Sequence, residues 1–507
     1  MPRKLYLETF GCQMNVLDSE LVLGQLRAQG YESVEDRDSA DVILYNTCSV
    51  REHAEQKVWS RLGELRDRKK QQPGLVIGVI GCMAERDGTN IFQRNPHVDV
   101  LCGPGELDKL AQLVHNAAIT NSMPHGKRER QVALMGSSVR RSGTLEAAED
   151  HLELLDLSRS ISAQDHPAQA YVRITRGCNK FCTYCVVPYT RGPEVHRPPR
   201  NIIDEVRRLA DSGAREVTLL GQTINHYHYD HGDGRKTTFA DLLYQVHEAV
   251  ANLPRLRFVT SFPRDFTDEA LAAMRDCERI CRYLHVPAQS GSDRILKLMN
   301  RGYTSGAYRD FIDRARQMMP DICIASDFIV GFPSEADEEF EASAELIRYC
   351  RFKNSFIFKY SPRPGTIAID RFSDDVPEDV KRRRNNELLA VQQQVCIENN
   401  RQMIGKTVQV LVEGEGKRVK EAAYPRAGGI ELGWERRRSD AGSEAVHLTG
   451  RTGGDQVVAF DGDRSMIGRL IDIEIIAAKN LTLFGRVPQT AEVSEDRGPH
   501  LGRRGHC

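Results

Sequence analysis

From residue 4 to residue 360 the sequence returns repeatedly to one unit, a short run of apolar and β-branched residues followed by a longer stretch with helical periodicity. Such a repeat points to parallel strands, because parallel neighbours can be joined only by a long crossover that packs on the face of the sheet. In the amino-terminal part the strand candidates are residues 4–7, 42–45, 75–80 and 98–101. Between them, residues 18–29 open on Asp18 as N-cap and carry Leu21 and Leu26 on one face, and residues 53–72 read as a longer charged helix. The expected fold is an open parallel α/β sheet. A second series, at 170–174, 216–220, 257–260, 283–286, 323–330 and 355–360, predicts a partial β/α barrel of six strands.

In both folds, ligand groups collect at the carboxyl ends of strands. Cys12, Cys48 and Cys82 each follow a predicted strand by one to a few residues, so three thiols far apart in sequence can meet in space. Taken singly, each reads as a buried strand-end cysteine; three at equivalent strand ends favour ligation. The other thiols of interest are local. Gly177-Cys178-Asn179-Lys180-Phe181-Cys182-Thr183-Tyr184-Cys185 follows the first barrel strand and presents three thiolates from one loop, enough for three corners of an iron-sulfur cube, with one iron left open to a small molecule. Zinc, with His196 as a fourth ligand, and simple packing are the other readings of this spacing. Cys102 also follows a strand and reads chiefly as packing, as do Cys277, Cys281, Cys323, Cys350 and Cys396.

Thirteen cysteines in a reducing compartment do not suggest a disulfide framework. The compartment expected is the cytoplasm, since the start moves directly into a strand-like segment without a secretory signal, and no apolar run approaches the roughly 20 residues of a membrane helix. A formal charge of -1 gives no global attraction to nucleic acid, so any RNA binding must be local. The 507 residues suggest about three domains. Residues 117–166 lose periodicity, are rich in Ser, Arg, Gly, Glu and His, and read as a linker or insertion between an amino-terminal domain at 1–116 and the barrel at 167–398. Strand-type segments at 407–412, 456–460 and 470–476 predict a small β-barrel or sandwich within 399–488, and 489–507 reads as a disordered tail.

The triad Cys178, Cys182 and Cys185 resembles that of the radical S-adenosylmethionine superfamily. The runs Thr9-Phe10-Gly11-Cys12-Gln13-Met14-Asn15, Asn46-Thr47-Cys48, Gly81-Cys82 and Val187-Pro188-Tyr189-Thr190-Arg191-Gly192 are similar to the methylthiotransferase family within it, closest to the tRNA-modifying branch. Ile404 to Val408, Gly450-Arg451-Thr452 and Ile467 to Leu470 resemble the TRAM domain, a small RNA-binding barrel in which Arg451 and Lys406 suit phosphate contacts. The likeness covers all but the linker and tail.

The resemblance implies two 4Fe-4S clusters. Cys178, Cys182 and Cys185 are the expected ligands of the one that cleaves S-adenosylmethionine to a 5'-deoxyadenosyl radical, and Cys12, Cys48 and Cys82 those of an auxiliary cluster that delivers sulfur. It implies cofactor contacts from Tyr184, Gly221, Gln222, Gln289, Ser290 and Gly331, each with turn formation or packing as the plainer alternative. Arg363, in the last-strand motif, is expected either to face substrate or to be solvated. The implied reaction converts N6-isopentenyladenosine at position 37 of tRNA, beside the anticodon, to its 2-methylthio form, with a flavodoxin or ferredoxin as electron donor and a monomer as the expected state. Related alternatives are methylthiolation of threonylcarbamoyl-adenosine in tRNA or of a ribosomal-protein aspartate. A non-enzymatic alternative is an RNA-binding protein with structural clusters. The segment Gly11-Cys12-Gln13-Met14-Asn15 favours the isopentenyl branch.

Overall fold

The computed structural model describes residues 2–49, 52–123, 129–136, 152–159, 161, 168–416 and 446–488. The chain divides into two compact units, Met1–Gln392 and Gln393–Cys507. The first unit opens with a six-stranded, all-parallel sheet in the order β2-β1-β3-β4-β5-β6. Its strands are β1 (Arg3–Phe10), β2 (Tyr31–Ser33), β3 (Val42–Thr47), β4 (Val76–Gly81), β5 (Val100–Cys102) and β6 (Gln131–Ala133). The central strands β3 and β4 are buried at every residue, as expected where helices cover both faces.

Two features of this sheet depart from the sequence reading. The helix expected from residue 18 begins earlier, as α1 (Gln13–Ala28) with Cys12 at its N-cap, so Asp18 lies inside the helix and is fully buried. The linker stretch contributes β6, a strand of three residues, too short to carry a periodic signal. It also supplies Asp156, buried between Arg173 and Arg176. Residues 124–128, 137–150, 417–445 and 489–507, including the charged run at 435–438 and the tail, lie outside the described residues.

The barrel strands follow. They are β7 (Gln169–Arg173), the short antiparallel pair β8 (Thr175–Arg176) and β9 (Val195–His196), β10 (Glu216–Leu220), the hairpin β11 (His228–Asp230) and β12 (Lys236–Thr238), then β13 (Arg255–Phe258), β14 (Tyr283–His285), β15 (Cys323–Val330) and β16 (Asn354–Lys359). The six main strands are all found, as two parallel three-stranded halves, β13-β10-β7 and β14-β15-β16, joined by a single parallel bridge between Leu256 and Ile280. Phe328 packs on Phe352 on one face of the second half, whereas Asp327, His285 and the half-exposed Phe356 share the opposite face.

In the second unit, β17 (Thr407–Glu415), β18 (Val446–Thr452), β19 (Val457–Gly462), β20 (Leu470–Lys479) and β21 (Thr482–Arg486) close into a barrel in the order β17-β18-β19-β21-β20, around Val410, Val412, Leu448, Val458, Phe460, Ile473 and Leu483. Closure leaves no unpaired edge. A glycine is required at position 450 inside β18, because a Cβ there would lie 2.2 Å from the Leu411 carbonyl oxygen. No helix among the described residues is long and apolar enough to cross a membrane.

Candidate active site

Strand register explains how Cys12, Cys48 and Cys82 meet. On adjacent parallel strands Phe10 is opposite Thr47, and Thr47 is opposite Gly81. The residues just beyond these ends are the cysteines, on strands about 4.8 Å apart. Gly81 turns the chain at φ 90° to place Cys82 at the start of α3 (Cys82–Asp87), where a Cβ would strike Asn46 Oδ1 at 2.4 Å and the Thr47 carbonyl oxygen at 2.8 Å. Two fully buried asparagines lock the neighbouring loops. Asn15 donates to Asn46 Oδ1 (3.0 Å), and Asn46 donates to the Asn15 carbonyl (2.8 Å) and to Ser19 Oγ (2.9 Å).

The Cys12 and Cys48 thiols are hydrogen-bonded to each other, and Cys82 lies within electrostatic reach of Cys12. A hydrogen bond from Cys48, the Arg191 guanidinium and backbone amides at the head of α1 lower the Cys12 thiol to about 5 against the opposing effect of burial. Burial pushes the Cys82 thiol up, partly offset by the positive charge of Arg191. Cys102 does not join them. It is opposite Ile80, two residues before Cys82, and its Sγ donates to the Glu106 carbonyl at 3.2 Å from within the apolar core, as a packed thiol does.

The barrel triad is built by one loop. Gly177 (φ 67°) is obligatory, since a Cβ would sit 1.9 Å from the Pro193 carbonyl oxygen. The Cys178 amide donates to the Gly192 carbonyl, the Cys185 amide to the Cys182 carbonyl (3.0 Å), and Thr183 is held by the carbonyls of Met299 and Leu298. Cys178 Sγ lies 3.5 Å from Thr223 Oγ1. Burial raises the Cys178 and Cys185 thiols, with the neighbouring thiol of Cys182 adding to both. Buried Arg301 is the matching cation: it donates to Cys182 Sγ (3.3 Å), to Tyr184 Oη (3.5 Å) and to the Pro287 carbonyl (3.1 Å), with its plane 4.4 Å from the Phe262 ring centroid.

Among the described residues no three His, Cys, Asp or Glu side chains close on a single ion position. A tetrahedral zinc site needs that convergence, whereas a cube takes one thiolate per corner. His196 packs instead with His226, His228 and Tyr227, and burial lowers it to about 3. The donor set, two largely buried thiol triads each beside an arginine, fits iron-sulfur ligation.

The residues suggested for cofactor contact surround the strand ends. Tyr184 packs on Ile295, Met299, Phe332 and Tyr360. Gly221 lies against Thr175, where a Cβ would be 2.3 Å from Oγ1. Buried Gln222 Oε1, Thr175 Oγ1 and Ser261 Oγ have no hydrogen-bond partner among the described residues, so polar valence is available at this end of the barrel. Gln289 (φ 71°) ties its backbone to Asp327 and Ile329; Ser290, fully buried, accepts from the Ser292 amide; Gly331 (φ 70°) donates to Glu335. Arg363 is neither solvated nor free for substrate, since it pairs at 2.8 Å with Glu55 of the helix Glu52–Gln71, and Glu55 also holds Arg86. Arg451 pairs with Glu413 and Asp455, whereas Lys406 is exposed. Arg191 was visible in the sequence only as part of a motif; Arg301, Thr175 and Ser261 carried no sequence signal at all.

Residues 4–103 match the uncharacterized protein family UPF0004, and residues 172–347 match the radical SAM superfamily. The chain is 45% identical over 493 residues to the tRNA-2-methylthio-N(6)-dimethylallyladenosine synthase of Rhodopirellula baltica, covering 97% of each protein. It is 42% identical to that of Porphyromonas gingivalis, over 96% of each, and 39% identical to that of Neisseria gonorrhoeae, over 96% of this chain and 99% of the relative. The chain belongs to the tRNA-2-methylthio-N(6)-dimethylallyladenosine synthase family and, through its barrel, to the radical SAM superfamily.

Proposed function

We propose that this protein converts N6-dimethylallyladenosine at position 37 of tRNA, beside the anticodon, to its 2-methylthio derivative. The observation that carries this reading is the presence of two separate thiol triads in one compact unit, with likeness to the named synthases along nearly the whole chain. Cys178, Cys182 and Cys185 would hold one 4Fe-4S cluster, and Cys12, Cys48 and Cys82 a second. Bound there, the first supplies one-electron cleavage of the S-adenosylmethionine sulfonium to a 5'-deoxyadenosyl radical, and the second presents sulfur.

The chain's own residues orient and shield. Arg301 fixes Cys182 and the Tyr184 hydroxyl together, and Gly221 permits close approach of a ligand to the backbone. Tyr184, Gln222, Gln289, Ser290 and Gly331 form the remaining proposed cofactor set, with Ser290 and Gly331 acting through the turns they stabilise. The small barrel contributes tRNA contact through exposed Lys406, with affinity that falls as salt rises. A loop base, already unstacked, is the form of adenosine such a barrel mouth can admit. A flavodoxin or ferredoxin as electron donor, a cytoplasmic location and a monomeric state complete the proposal.

The test is anaerobic incubation of reconstituted protein with dimethylallylated tRNA, reductant and S-adenosylmethionine. Mass spectrometry of the digested tRNA should show the methylthio nucleoside; 5'-deoxyadenosine without it, on every dimethylallylated substrate, would redirect the assignment to another acceptor.

A further inference from the structure

Arg191 caps the carboxyl end of the short helix Val187–Thr190, which packs against α3, the helix that begins at Cys82. Its Nη2 is 2.8 Å from Asp18 Oδ2, and the other oxygen of the same carboxylate is 2.8 Å from Arg173 Nη1. Asp18 is fully buried, so one carboxylate serves two guanidinium groups. Arg191 thus bridges α1, which Cys12 caps, and α3, which Cys82 opens, and its guanidinium lies within electrostatic reach of both thiols. A buried cation with half a counterion demands negative charge from whatever else it faces. What it faces is sulfur.

We propose that Arg191 is a positioning residue that sets the charge, and through it the reduction potential, of the sulfur-rich site at Cys12, Cys48 and Cys82. The inference rests on the two-cluster reading above. A guanidinium suits the task better than an ammonium, because its planar fork can hold a carboxylate on one edge and sulfur on the other. The alternative is a purely mechanical tie between the sheet and the barrel. That tie exists elsewhere, in Arg363 with Glu55, Arg173 with Asp18 and Arg159 with Glu20.

The two roles differ in sign. Arg191→Gln removes a positive charge beside the auxiliary site and should lower its potential. Asp18→Asn removes a negative charge from the same group and should raise it. A mechanical tie is broken by both and predicts shifts in one direction. The measurement is an EPR-monitored redox titration of the full-length, two-cluster protein, the auxiliary signal being the one absent from a Cys12, Cys48, Cys82 triple alanine variant.

At a fixed potential, Arg191→Gln should change the oxidised-to-reduced ratio of the auxiliary cluster by at least tenfold, about 59 mV for a one-electron couple. Arg191→Lys should restore more than half of the shift, and the barrel cluster should not move. An unchanged auxiliary potential in Arg191→Gln, or shifts of the same sign in Arg191→Gln and Asp18→Asn, overturns the proposal. Loss of auxiliary iron from Arg191→Gln with retention in Arg191→Lys supports it; equal loss from both overturns it. A wild-type chain that binds only about four irons refutes the two-cluster reading itself, and that result is seen before any Arg191 variant is made.

Discussion

The barrel triad comes from one loop, residues 178–185, whereas the sheet triad is drawn from positions 12, 48 and 82, each at the end of a different strand. The loop triad is locally encoded: a left-handed glycine, two turns and a few carbonyls fix it. The sheet triad exists only because β1, β3 and β4 are neighbours in register. Their electrostatics differ in the same way. Cys12 sits at a helix amino terminus, against Cys48 and near Arg191, and is readily ionised; Cys178 and Cys185 are buried and resist ionisation until something replaces their protons. Each triad nevertheless has one arginine beside it, Arg191 or the buried Arg301, which suits a site built to carry net negative charge.

The largest effect that can break this comparison is removal of either triad. Alanine at Cys178, Cys182 and Cys185 should halve the iron from about eight to about four per chain and abolish both 5'-deoxyadenosine and methylthio product. Alanine at Cys12, Cys48 and Cys82 should also halve the iron but spare 5'-deoxyadenosine formation. Iron analysis and mass spectrometry separate the two, and loss of both products from both variants would end the division of labour.

Next come the glycines before each triad. Gly177→Ala and Gly81→Ala each place a side chain in left-handed backbone, at a strain of ~1–3 kcal/mol before the clashes with Pro193 and Thr47 are added. Each should lose its own cluster and largely retain the other. Smaller is Arg301→Leu, which leaves Cys182 without its cationic donor and the Pro287 carbonyl with Tyr303 alone; iron affinity of the barrel site or the rate of 5'-deoxyadenosine release should fall ~10–100-fold, with partial rescue by Arg301→Lys.

Without clusters, the thiols themselves report the difference. Iodoacetamide should label Cys12 at pH 6, with labelling falling as pH drops through about 5, while Cys178 and Cys185 require alkaline pH. The smallest effect concerns His196, beside the strand pair that leads into the barrel loop. Its folded value near 3 lies below the ordinary 6.5, so the unfolded chain takes up a proton that the folded chain refuses. Stability should therefore fall as pH drops from about 6.5 toward 3, and His196→Gln should flatten that slope by up to about one proton.

Much of this was legible in advance. The alternation of apolar runs and helices located β1, β3, β4, β5 and all six main barrel strands, because each falls in a run of aliphatic, aromatic or β-branched residues that stands out from its neighbours. Elements of two or three residues, such as β2, β6 and the β8–β9 pair, left no signal. Asp18 was misread as an N-cap because its residue type suits one; burial between Arg173 and Arg191 is a tertiary fact that no local pattern shows. Arg363 was open between substrate and solvent until Glu55, more than three hundred residues away in sequence, was found beside it.

By itself, the sequence determined that three thiols share one loop of eight residues, while the contacts that hold that loop also come from Leu298, Met299 and Arg301. It also determined that strand-end thiols existed to be gathered. Only the tertiary structure decided which of four such thiols gather. The register of β4 with β5 sets Cys102 opposite Ile80 and so inside the core, while Cys48 and Cys82 project past the paired ends of their strands. Register is fixed by the packing of whole strands and helices, and a shift of two residues separates a strand-end thiol from a core side chain.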